Sequence, residues 1–202
     1  MEELLKEIVA REWEMFRQTR NVGGRASCQE DPVQFGVMRS SQFLGWNQEA
    51  LESYLEDLKQ AREQGRNLPT EKYARMMEQT APAEYAKLAD RLPPLSEAQR
   101  QLADALTAQT VAWCLEFAAQ YPAIAACGRP IRTADECCGA TSVETYSHGE
   151  FLTYSEETLR RLFAHYTRLK AEGINLHREV VENEMCMMGF ASLEEAEQRL
   201  KR

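Results

Sequence analysis

The sequence predicts an all-α fold in which two tandem, pseudo-symmetric helical halves pack as one domain over residues 1–202. Three observations carry that expectation. Glu, Ala, Leu, Arg and Gln are abundant while Val and Ile are scarce, which favours helix over sheet. Apolar residues recur at helical spacing in segments bounded by capping residues. One stretch of the chain also matches another without gaps, the sign of an internal repeat.

The elements follow in order. Leu5, Ile8, Val9, Trp13 and Phe16 lie at helical spacing and predict a helix over 2–20, ended by Asn21-Val-Gly-Gly. Asp31-Pro32 reads as the cap and first position of a helix to about 44. Asn47 caps a third over 48–64, with Leu51, Tyr54, Leu55 and Leu58 on one face and Gly65 at its end. A fourth runs from Pro69-Thr70 to about 79. Residues 81–95, rich in proline, read as a linker with one short helix. Ser96 with Gln99 forms a capping-box pattern for a long helix to about 120. An irregular stretch over 121–141 follows, then helices from 142, over 155–172 and over 175–187. Ser192 with Glu195 caps a last short one.

The repeat sets 42–77 under 150–185, an offset of 108. Shared residues include Phe43/Phe151, Leu44/Leu152, Leu51/Leu159 and Glu71/Glu179. The helix-ending Gly-x-Asn-Leu recurs as Gly65-Asn67-Leu68 and Gly173-Asn175-Leu176. Upstream, Gly24-Arg25 with Asp31 has the spacing of Gly128-Arg129 with Asp135. The halves are therefore expected over about 1–80 and 96–202. Duplicated halves pack about a pseudo-twofold axis, and a pocket between their equivalent loops is a natural ligand site.

Composition excludes several classes. A net charge of −8 is wrong for gripping a nucleic-acid backbone, so no nucleic-acid partner is expected. No apolar run reaches the ~20 residues of a membrane span, and the acidic start MEELLKE is unlike a signal peptide, so no membrane partner and a cytoplasmic location are expected. Six scattered cysteines without a C-x-x-C read as reduced thiols.

Two clusters carry candidate chemistry. The first is an anion site: Arg25 and Arg129 stand behind glycines, Arg39 lies one helix on, and a guanidinium fork suits carboxylate or phosphate. Asp31, Asp135 and Gln42 complete this ligand-binding set; the alternative is that each aspartate braces its own loop arginine. The second cluster, Glu144, Tyr146, His148 and Glu150, is an acid/base candidate. On a helix Glu144 and His148 share one face, and Tyr146 and Glu150 another. The first half has Gly36, Met38, Ser40 and Gln42 there, as expected if one half keeps the chemistry; the alternative is a solvated helix face.

No metal site is expected. Cys127, Cys137, Cys138 and His148 match no zinc spacing, and Glu12, Glu116, Glu144 and Glu150 lack the Glu-x-x-His of di-iron bundles. Cys28, near a positive charge, is a candidate nucleophile beside the commoner reading of an inert thiol. His165 and His177 read as helix-surface residues, and Met185, Met187 and Met188 as packing.

The strings EWEMFRQTRNVGGRASCQED, FGVMRSSQFLGW, GRPIRT and TSVETYSHGEFLTYSEETL resemble the bacterial domain-of-unknown-function family 4125. The resemblance covers nearly the whole chain and implies no established activity, cofactor or catalytic residue. The residues themselves point to binding of a small anionic metabolite between the halves, with acid/base turnover as an extension. The alternative is a non-catalytic helical interaction or scaffold protein.

Overall fold

Helix boundaries follow the caps. The computed structural model describes residues 1–20, 24, 26–137 and 139–201. Among these it holds α1 (Glu2–Phe16), α2 (Pro32–Leu44), α3 (Gln48–Glu63), α4 (Leu68–Thr80), α5 (Pro82–Tyr85), α6 (Glu97–Gln120), α7 (Pro122–Ala126), α8 (Val143–Phe151), α9 (Glu156–Ala171), α10 (Leu176–Met187) and α11 (Leu193–Leu200), and no strand. Short 3-10 turns lie at Ser27–Glu30, Ala89–Arg91 and Thr133–Asp135. The fold is all-helical, as composition and periodicity predict.

Side-chain oxygens of Asp31, Asn47, Asn67, Ser96, Ser142, Ser155, Asn175 and Ser192 each accept a backbone N–H three residues on. Each satisfies a donor that a helix start leaves without an intrahelical partner. Asn67 and Asn175 do more: their amides donate to Met15 O (2.7 Å) and Trp113 O (3.0 Å), pinning the starts of α4 and α10 to α1 and α6.

Two boundaries differ from expectation. α1 stops at Phe16, where the chain tightens into i→i−3 bonds at Gln18 and Thr19. The buried amide of Gln29 donates to Phe16 O (3.0 Å) and Thr19 O (2.7 Å), so a distant side chain ends this helix. Within the stretch read as irregular, α7 forms because Glu197 of α11 accepts the N–H groups of Ala123 (3.0 Å) and Ile124 (2.9 Å).

α1 packs on α2, α3 and α4, and α6 packs on α8, α9 and α10. α3 lies against α9. α4 crosses onto α8, and α10 crosses onto α2. Both crossings use a glycine. A Cβ on Gly149 would stand 2.6 Å from Met76 Cγ and 3.1 Å from Lys72 O; one on Gly45 would stand 2.5 Å from Leu176 Cδ1. The main core is continuous and includes Ile8, Phe43, Leu51, Leu58, Leu106, Leu159 and Leu162. Each such side chain stabilises the fold by about 1.5–3 kcal/mol. A smaller cluster joins Phe117, Tyr121, Ile124, Val181, Leu193 and Ala196.

Some surface expectations are corrected. His165 is buried, with Nε2 2.8 Å from Gly45 O at the α2–α9 contact. His177 is partly covered, edge-on to Phe117. Met187 and Met188 are exposed, and only Met185 packs against the smaller cluster. No helix among the described residues is long and apolar enough to cross a membrane.

Candidate functional site

The crossing of α4 over α8 borders a half-open cavity of about 240 Å³, lined from α1, α2, α3, α4 and α8. That is room for about eight waters at about 30 Å³ each, the size of a small metabolite. Phe16, Phe35, Met38 and Leu68 form its apolar wall. Phe16 and Phe35 stack at 5.1 Å and join α1 to α2 there.

Its floor is a buried chain of alternating charges. Glu12 lies one helical turn beyond the core residue Ile8, so it must point inward. Arg39 grips it with Nε and Nη2, each at 2.6 Å. Arg39 also lies one turn before the buried Phe43, with its guanidinium 4.6 Å from that ring centre. Its Nη1 donates to Gln42 Oε1 (2.7 Å) and Glu150 Oε1 (3.0 Å). Lys72, between Leu68 and Met76 on the inward stripe of α4, donates to Glu150 Oε2 (3.0 Å). Tyr54 OH donates to Glu12 Oε1 (2.5 Å) and Tyr154 OH to Glu150 Oε1 (2.7 Å).

The electrostatics follow from that pairing. Burial alone would raise the Glu150 pKa, but the Arg39 guanidinium and Lys72 ammonium outweigh it and hold it well below the carboxylate range. Burial opposes the charge on Lys72, and Glu150 overcomes it, so the ammonium is held above its ordinary value. Arg39 is stabilised likewise by Glu12 and Glu150 against burial. Burial and the neighbouring carboxylates push Tyr54 and Tyr154 far up, so both remain donors.

A second tier lines the wall. Lys72 Nζ lies 3.9 Å from the Tyr146 ring centre, and the Arg129 guanidinium lies 4.6 Å from it, within cation–π range. Burial and its contact with Tyr146 push Tyr73 up to about 12. Cys28 and Gln34 also line this cavity.

A family model described as "Protein of unknown function (DUF4125)" matches residues 2–198. The chain belongs to that family. No curated protein and no solved structure matches this DUF4125 chain.

The sequence-chosen residues of the DUF4125 chain divide by position. Arg39, Arg129, Tyr146 and Glu150 line the cavity, and Gln42 adjoins it through Arg39 and Glu150. Arg25 lies outside the described residues, as does Cys138. Asp31 is exposed and caps α2, accepting from Gln34 N (2.9 Å). Asp135 is exposed at the end of its 3-10 turn, and among the described residues no ion pair joins it to Arg129, whose Nη1 donates to Thr141 O (3.3 Å).

Glu144 and His148 occupy the opposite face of α8. They line a separate cleft of about 330 Å³ between α4, α6 and α8. Glu144 accepts from Thr133 N (2.8 Å), and His148 Nε2 lies 2.9 Å from Asp104 Oδ1. The i, i+4 pairs thus survive, but the helix points them into two different spaces.

Sequence reasoning missed Lys72, Tyr54, Tyr73 and Tyr154, and weighed Glu12 only as a metal ligand. The available signal was Lys72 midway between Leu68 and Met76, a charge on an apolar stripe. Glu116 is exposed and accepts from Asn175 (3.1 Å), outside the lining that Glu12 and Glu150 share. Among the described residues no three His, Cys, Asp or Glu side chains are grouped to hold a metal ion. Cys114 is buried, its thiol pushed up to about 12 by burial, which leaves it unreactive.

Proposed function

We propose that this DUF4125 chain binds a small molecule carrying a carboxylate or phosphate in the 240 Å³ cavity between two duplicated halves of one domain. The observation that carries this is the local charge. Arg39, Lys72 and Arg129 face two carboxylates, Glu12 and Glu150, so the lining is net positive in a chain of net charge −8. Arg39 is consumed by its carboxylates, whereas Arg129 has an exposed guanidinium at the rim. Arg129 and Lys72 supply the anion contacts, and Phe16, Phe35 and Met38 receive an apolar portion.

The duplication reading is supported by residues 108 apart that touch. Gln42 and Glu150 approach to 3.4 Å, and the rings of Trp46 and Tyr154 meet edge-on at 6.0 Å. Equivalent groups in contact are what a pseudo-twofold axis produces. The reciprocal crossings of α4 onto α8 and α10 onto α2 fit the same relation.

Glu150 is the counter-ion of Lys72 and Arg39 in this reading. A carboxylate held ionised and hydrogen-bonded to several donors is a weak base and carries no proton to give near neutral pH. Binding therefore leads, and acid/base turnover by Glu150 does not.

A thermal-shift screen of small carboxylates and phosphates tests this. The expected result is at least one ligand that raises the melting temperature, with the shift reduced in Arg129→Ala. No stabilising ligand, or a shift indifferent to that substitution, would overturn it.

A further inference from the structure

The cleft on the other face of α8 contains an anomaly. Arg75 of α4 is only 6% exposed, yet its Nε has no hydrogen-bond partner. Its one hydrogen bond in this region runs from Nη2 to the carbonyl of Pro93 (2.8 Å), a neutral acceptor. Among the described residues no carboxylate stands within ion-pair distance of it. Glu71, on the same helix, is already gripped by Arg66 at 2.7 and 2.8 Å. Arg39, by contrast, holds two carboxylates. A buried guanidinium without a counter-ion is costly, and its pKa is lowered by burial accordingly.

Arg75 lines the 330 Å³ cleft, which has room for about eleven waters at about 30 Å³ each. The rest of the charged lining is acidic: Glu78, Asp104 and Glu144, with His148 bonded to Asp104. A bare anion would compensate Arg75 but meet three carboxylates. A bare cation would suit the carboxylates but leave Arg75 without a counter-charge. One small molecule bearing both a carboxylate and an ammonium satisfies both sides.

We infer that the cleft between α4, α6 and α8 is a second ligand site, built for a small zwitterion of the α-amino-acid type. Its carboxylate faces Arg75, and its ammonium faces Asp104 and Glu78. This site is distinct from the cavity on the Glu150 face, and the two are tested by different substitutions.

The experiment is calorimetric titration of the full chain with the twenty standard amino acids. Each one that binds is compared with its carboxylate-only and amine-only analogues. The expected result is saturable binding of at least one amino acid, with both analogues at least tenfold weaker. Arg75→Gln, and separately the exposed pair Glu78→Gln with Asp104→Asn, should each weaken that binding at least tenfold. Arg129→Ala, in the other cavity, should leave it unchanged. Should Arg75→Gln fail to fold, the exposed pair decides. Absence of any amino-acid binding, equal binding by an analogue, indifference to the substitutions, or loss on Arg129→Ala would each overturn the assignment.

Discussion

The charged cavity has a counterpart that is neutral apart from the Glu150 the two share. On the other side of Glu150 lies a smaller cavity of about 150 Å³, and many of its lining residues stand 108 positions after those of the first. Leu68 is matched by Leu176, and Phe35 by Val143, so the apolar walls correspond. The charges do not: Arg39 is matched by Ser147, Lys72 by Val180, and Glu150 itself by Gln42. Apart from the shared Glu150, the ionic floor thus lines one cavity and uncharged residues line the other. An apolar core needs no such floor, and buried ion pairs are a poor source of stability. The ligand proposed for the first cavity would give those charges a role.

Glu150→Gln should break this contrast most severely. It leaves Lys72 buried without its carboxylate, and a loss of about 3–5 kcal/mol is expected in denaturant unfolding. Adding Lys72→Val copies the neutral side and should restore much of that stability. If the double variant is no more stable than Glu150→Gln, the two residues are not the coupled pair described here.

The glycine crossings should differ next. Gly149→Ala drives a Cβ toward the backbone oxygen of Lys72 as well as Met76, and about 1–3 kcal/mol of destabilisation is expected. Gly45→Ala meets chiefly the end of a flexible Leu176 side chain and should cost less. Equal melting temperatures for the two variants would contradict this ordering.

pH should separate the cavities as well. The Glu150 contribution is full above the usual carboxylate range near 4.5 and declines as pH falls below it. That of Lys72 is full below 10.5 and is lost at higher pH. On the neutral side, burial pulls His177 down to about 4 from 6.5. The unfolded chain then binds the extra proton first, so this histidine costs stability as pH falls from 6.5 toward 4. His177→Phe should flatten the stability curve in that window, and an unchanged slope would show that His177 is not its source.

The smallest effects are expected at the caps. Asn67→Ala and Asn175→Ala each remove an N-cap and a tie, to α1 and to α6 respectively, for about 1–2 kcal/mol in unfolding experiments. Similar losses at the two positions would sharpen the correspondence of the two sides.

Much of the helical order was legible because its signals are local. Asp31, Asn47 and Ser96 cap the helices that the sequence assigns to them. The end of α1 and the start of α7 were not, because Gln29 and Glu197 reach them from elsewhere in the chain. Arg39, Arg129 and Glu150, chosen through their motifs, line the charged cavity. Lys72 was missed although it stands midway on the apolar stripe from Leu68 to Met76; what periodicity does not encode is the crossing of α4 onto α8 that brings it to Glu150. The Gly-Arg and Asp pattern over-reached for the reverse reason: a cap at Asp31 and an exposed Asp135 share a spacing without sharing a cavity.

The most direct test of the charged cavity is calorimetric titration of the best-stabilising carboxylate or phosphate into the wild-type chain and into the Lys72→Val, Glu150→Gln double variant. Saturable one-to-one binding by the wild type and at least a tenfold loss in the folded double variant are expected. Equal affinity for the two would contradict the proposed binding.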